Sequence, residues 1–124
     1  MNGINYILDT NAIIYLLSGN SVMKQYLSSS FALSVISKLE LLSFTEIDEK
    51  EENVIKSFIS ECTILNINSN IEDITIKLRK KYKIKLPDAI IAATSIDYNV
   101  PLITADRGFS KIQELKLELI TPLW

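Results

Sequence analysis

Histidine is absent from the 124-residue chain. That absence removes the Ser-His-Asp triad, the Cys-His pair, the histidine general base and the usual zinc sites together, so any chemistry must rest on carboxylates or lysines. Cysteine occurs once, at Cys62, which forbids an internal disulfide and suits a reducing compartment. Glycine is scarce, at three residues, and neither a GxGxxG nor a GxxxxGK loop occurs; dinucleotide and nucleoside-triphosphate sites of those kinds are excluded. Apolar runs such as 12–17 fall far short of the about 20 residues that cross a bilayer, and no basic segment leading into a long apolar run marks the start. A cytoplasmic protein with no membrane association is expected. The aromatics, Trp124 among them, do not interleave with basic residues, so no base-stacking pattern is legible.

What is present has the balance of a folded domain: 48% apolar and 23% charged residues, enough to bury a core in one unit spanning 1–124. The net charge of −2 argues against gripping nucleic acid by bulk positive charge and leaves room for a local basic surface.

Strand and helix patterns alternate along the chain. Residues 5–8 form a β-prone run that ends at Asp9-Thr10-Asn11, and 12–17 reads as a helix stopped by Gly19-Asn20. Residues 31–35 are strand-like, and 36–45 is predicted helical, with Ser37-Lys38-Leu39-Glu40 in the pattern of a capping box. An acidic stretch, 46–52, leads into a helix with Val54, Ile55, Phe58 and Ile59 on one face, and 63–65 is a third strand. Ser69 opens an amphipathic helix carrying Ile71, Ile74, Ile76 and Leu78, which ends in the basic run 77–85. Leu86-Pro87-Asp88 begins another helix whose small, apolar surface over 89–93 marks it as buried. Residues 102–104 are strand-like, a short helix is expected within 107–114, and 117–120 supplies a last strand. This alternation predicts an α/β sandwich of three layers, a central parallel sheet with helices on both faces.

In such a sheet the strand C-termini and helix N-termini gather at one edge. Asp9 follows the first strand, Asp106 follows the strand at 102–104, Asp88 opens the buried helix, and Glu40 lies in the first turns of the second helix. All four are expected to face one crevice. Singly, each also suits a cap or turn, and Glu40 suits the capping box. Jointly they would repel one another unless a cation compensates. Oxygen ligands without His or Cys point to Mg²⁺ or Mn²⁺, and the reaction implied is metal-assisted phosphodiester hydrolysis.

Leu8-Asp9-Thr10-Asn11, Ser37-Lys38-Leu39-Glu40-Leu41, Leu86-Pro87-Asp88-Ala89-Ile90-Ile91-Ala92-Ala93 and Leu102-Ile103-Thr104-Ala105-Asp106, in that order and spacing, resemble the PIN-domain nucleases, especially the VapC-like toxins of toxin-antitoxin pairs. The resemblance spans essentially the whole chain and implies a PIN-like fold and a divalent-metal-dependent endoribonuclease. It implies that Asp9, Asp88 and Asp106 are metal ligands, that Glu40 is a ligand or water-positioning acid, and that Thr10, Asn11 and Thr104 support them by hydrogen bonds. It further implies an RNA substrate, a small antitoxin partner and a homodimer. One departure stands out: many relatives carry an Asp two residues beyond the position of Asp106, where this chain has Gly108.

The basic run reads either as an RNA-backbone contact through Lys80 and Lys81 or as a solvated helix end complementing the dipole. Two rival classes share these features. A receiver-like Mg²⁺-binding signalling domain would want a phospho-accepting Asp after the third strand, where Asn66-Ile67-Asn68 stands. An inactive PIN-like module acting through protein contacts differs from the nuclease only in metal binding and cleavage.

Overall fold

The computed structural model describes residues 3–123; Trp124 lies outside them. Five short strands, β1 (Tyr6–Leu8), β2 (Phe31–Ser34), β3 (Thr63–Leu65), β4 (Leu102–Thr104) and β5 (Leu117–Leu119), pair in parallel in the order β3-β2-β1-β4-β5. The chain moves outward from β1 in one direction through β2 and β3, then crosses to the other side for β4 and β5. The carboxyl ends of β1 and β4 therefore flank the point where the strand order reverses, where open α/β sheets place their crevices.

Alternation along the strands sorts the core into two layers. Ile7, Ala32, Leu65 and Leu102 face a cluster built with α4 (Ser69–Lys81) and α5 (Leu86–Tyr98), including Ile71, Leu78, Ile91, Ala92 and Ala93. Leu8, Leu33 and Ile103 face the opposite cluster, made with α1 (Thr10–Leu17), α2 (Val35–Leu42) and α3 (Glu49–Glu61) through Ala12, Ile13, Leu41, Ile55 and Ile59. Helices on both faces of a parallel sheet are the arrangement that the sequence pattern predicts. Small residues at Ala89, Ala92 and Ala93 let α5 lie close against its neighbours.

Several local expectations change. No capping box forms at Ser37–Glu40: α2 begins at Val35, with Ser34 Oγ accepting the Ile36 amide at 3.1 Å. β2 runs directly into the helix, so the cap is the strand's last residue and Ser37 is buried on the helix side. The capping box is instead at the start of α3, where Asp48 and Glu51 exchange side-chain and backbone bonds. α2 also stops at Leu42 rather than Thr45. Within the amphipathic stripes, Val54 and Ile76 are exposed while Ile55, Ile59, Ile71 and Leu78 are buried. The expected helix within 107–114 is a 3-10 segment, Arg107–Lys111, and a second 3-10 segment, Ser21–Tyr26, lies in a stretch without helical patterning.

Candidate active site

Each acid reaches the sheet's carboxyl edge by a local device. Asp9 is the residue after β1 and the N-cap of α1; its Oδ1 accepts the Ala12 amide at 2.8 Å, and Thr104 donates its hydroxyl to Oδ2. Asp106, two residues beyond β4, caps the 3-10 segment by accepting the Gly108 amide at 2.8 Å. Its own amide donates to Thr104 Oγ1 at 3.0 Å. Asp88 sits in the first turn of α5, where the helix dipole favours a negative charge, and Pro87 beside it lacks an N–H that the first turn would leave unpaired. Glu40 projects from the second turn of α2, and its Oε1 accepts the Thr10 hydroxyl at 2.6 Å. Ser37 Oγ is 3.2 Å from the same hydroxyl.

The four acids line one cleft of about 210 Å³ together with Thr10, Asn11, Phe44 and Ile91. Asn11 is exposed at the rim, and Thr104 is wholly buried beneath Asp9. All the carboxylates read from the sequence thus meet at one place. Phe44 and Ile91 escape sequence reading, since an exposed Phe after a helix and an Ile within a buried one carry no mark of a site.

Burial pushes the Asp9 carboxyl up to about 6, opposed by the Thr104 and Ala12 hydrogen bonds and reinforced by the charges of Asp106 and Asp88. Asp88 is also raised, first by burial and then by Asp106 and Glu40, with Lys85 acting against them. Among the described residues the ion pairs are Lys56–Glu52 and Lys81–Glu114, and neither includes one of the four acids. A cleft of mutually repelling carboxylates with no protein cation paired to them suits a hard divalent ion. Among the described residues no three acids stand as a ready-made cation cage. The cleft's side-chain donors are oxygens of carboxylates, a hydroxyl and an amide, the kind a hard ion such as Mg²⁺ takes while keeping much of its water.

The two lysines singled out in the basic run do not line the cleft. Lys80 is exposed near the end of α4, and Lys81 pairs with Glu114 at 3.2 Å. Lys83, Lys85 and Lys111 lie closer, in a second cavity that shares Asp88 and Asp106 with the first. The position of Lys85, three residues before Asp88, was a usable signal; nothing near Lys111 in the sequence offered one.

A family model described as the PIN domain matches residues 6–115. Among solved structures, a toxin-antitoxin complex from Klebsiella pneumoniae contains a chain 33% identical to this one, with 90% of this chain and 95% of that one covered and a TM-score of 0.76. The VapBC2 structure from Rickettsia felis, bound to a promoter DNA fragment, matches with a TM-score of 0.81 at 23% identity, covering 95% of this chain and 100% of its counterpart. VapBC-1 from nontypeable Haemophilus influenzae matches with a TM-score of 0.81 at 24% identity, covering 94% and 98%. None of the curated proteins matches the chain.

Proposed function

The chain belongs to the PIN domain family, and from that membership we propose that it is a divalent-metal-dependent endoribonuclease acting in the cytoplasm as the toxin of a toxin-antitoxin pair. The observation that carries this reading is the convergence of Asp9, Glu40, Asp88 and Asp106 on one cleft, with no salt bridge to any of them among the described residues.

Asp9, Asp88 and Asp106 are the residues that would hold Mg²⁺ or Mn²⁺, with Glu40 as a further ligand or a water-positioning acid. The ion, when bound, supplies positive charge beside the phosphate and an easily deprotonated water. The protein's own share is positioning. Thr104 ties Asp9 to the Asp106 backbone, so the acids that follow β1 and β4 keep a fixed relation. Thr10 orients Glu40 through one carboxylate oxygen, leaving Oε2 to accept a proton from an attacking water. Asn11, exposed in the lining of the same cleft, would add a hydrogen-bonding amide in support of the acids.

An apolar groove of about 450 Å³, lined by Ile14, Leu17, Leu41, Ile47 and Val54, runs beside the cleft, and Phe44 lines both. Ile14, Phe44 and Val54 are exposed there. A polypeptide lying in that groove would reach the acids past Phe44, which supports an antitoxin that both binds and blocks the site.

Purified wild type and Asp88→Asn, incubated with a mixed RNA pool in Mg²⁺, Mn²⁺ or chelator, test the reading. Cleavage by wild type with metal only, and none by the variant, is expected. Folded proteins that cut nothing under any condition would replace this reading with a binding module acting through the apolar groove.

A further inference from the structure

A separate cavity of about 210 Å³ shares Asp88 and Asp106 with the four-acid cleft. Its remaining polar wall is Lys83, Lys85 and Lys111, and Gly108 contributes backbone only. The segment carrying Lys83 and Lys85 joins α4 to α5 and is fastened on both sides. Arg79 Nε donates to the Ile84 carbonyl at 3.3 Å, and Lys111 Nζ donates to the Lys83 carbonyl. Tyr82 donates its hydroxyl to Glu114 at 2.6 Å and accepts the Gln113 amide at 3.2 Å. Among the described residues none of the three lysines is in an ion pair, whereas Lys81 nearby is held by Glu114. Lys83 and Lys85 on this fixed segment, with Lys111 from the 3-10 segment held on the Lys83 carbonyl, thus share a cavity with two acids that the neighbouring cleft would engage with a cation. Once those acids are neutralised, the cavity is strongly positive.

A site that is cationic on one wall and continuous with a hydrolytic centre on the other suits a phosphodiester next to the one being cut. Resting on the nuclease reading, we propose that Lys83, Lys85 and Lys111 hold a backbone phosphate of the RNA adjacent to the scissile one. Gly108 leaves the Asp106 carboxylate its place on the wall that the two cavities share, because a Cβ at this position would lie 3.0 Å from Asp106 Oδ1. The lysines act as point charges, so they fix the register of the strand without selecting a base.

The test measures binding separately from cleavage. A labelled single-stranded RNA is titrated with wild type, Lys83→Gln/Lys85→Gln, Lys111→Gln and the control Lys80→Gln/Lys81→Gln, in Ca²⁺ over a range of salt. A gel verifies that the RNA stays intact. The double variant is expected to bind roughly tenfold more weakly, with a salt slope shallower by at least about 0.7, the contribution of one neutralised phosphate on a single strand. The Lys80/Lys81 control keeps the wild-type slope, and Lys83→Arg/Lys85→Arg restores it. A folded double variant with the wild-type slope overturns the proposal. Parallel cleavage in Mg²⁺ separates the two readings. If wild type cuts and the double variant cuts with unchanged KM, the phosphate site is lost and the nuclease stands. If the slope changes but wild type cuts no RNA, the lysines still hold an RNA phosphate, but its place beside a scissile one is overturned together with the nuclease reading.

Discussion

Thr104 donates its hydroxyl to Asp9 across 95 residues of sequence while accepting the Asp106 amide at 3.0 Å on the same oxygen. The two partners follow neighbouring parallel strands, paired at Leu8 and Ile103 just before the site. One buried hydroxyl thereby fixes the spacing of two acids that repel each other.

Removing that hydroxyl has separable effects. Thr104→Val leaves a buried Asp9 oxygen and a backbone N–H each short of a partner, at a cost of about 1–3 kcal/mol. It also removes the Thr104 contribution that holds the Asp9 carboxyl down, so that group rises further. Denaturant unfolding should show the stability loss, and metal-dependent cleavage should fall at least about tenfold as the acids lose their register. Thr104→Ser should recover most of both; a Val variant as active as wild type would show that the hydroxyl is only filling.

Asp9 also sets a pH dependence. Its folded value of about 6 lies above the ordinary 3.8, so the ionised form is disfavoured by folding. In chelator, its stabilising contribution is complete below about 3.8 and lost as pH rises through about 6. Asp9→Asn keeps an oxygen for the Ala12 amide and an amide group that Thr104 can accept, yet removes the buried charge. At pH 8 without metal the variant should be more stable than wild type by about 1–3 kcal/mol, and the gap should close near pH 4. Adding Mg²⁺ should raise the melting temperature of wild type above pH 6 and leave the variant unmoved. Equal stability of the two proteins at pH 8 in chelator would contradict the burial of this charge.

The acids were legible in the sequence because topology alone sends strand ends and helix starts to one edge, so Asp9, Asp88, Asp106 and Glu40 needed only the correct strand and helix assignments. The role of Glu40 was hidden by a competing local signal. Ser37-Lys38-Leu39-Glu40 has the spacing of a capping box, but β2 passes into α2 without a loop and the cap falls on Ser34. Glu40 is left free to take a hydrogen bond from Thr10, 30 residues away, which no local pattern encodes. The lysines beside the site were obscured for a similar reason. A run of like charges looks uniform in sequence, while in three dimensions the helix end turns Lys81 toward Glu114 and the following loop carries Lys83 and Lys85 to the acids.

Gly108 allows the two halves of the site to be pulled apart. An added Cβ would come within 3.0 Å of Asp106 Oδ1, so Gly108→Ala should displace that carboxylate by a few tenths of an ångström and reduce cleavage modestly. Gly108→Asp adds the same Cβ and a carboxylate beside Asp106 and the three lysines. The added acid strengthens the attraction for a divalent ion, whereas the same charge in the lysine cavity opposes a phosphate. Isothermal titration with Mn²⁺ should show tighter binding for Gly108→Asp than for Gly108→Ala, and RNA titration in Ca²⁺ should show weaker binding for the Asp variant. Because the two variants share the steric change, the opposite movement of the two affinities isolates charge. If both affinities rise together, the lysine cavity does not receive a phosphate, and Gly108 is merely the place where an acid is missing.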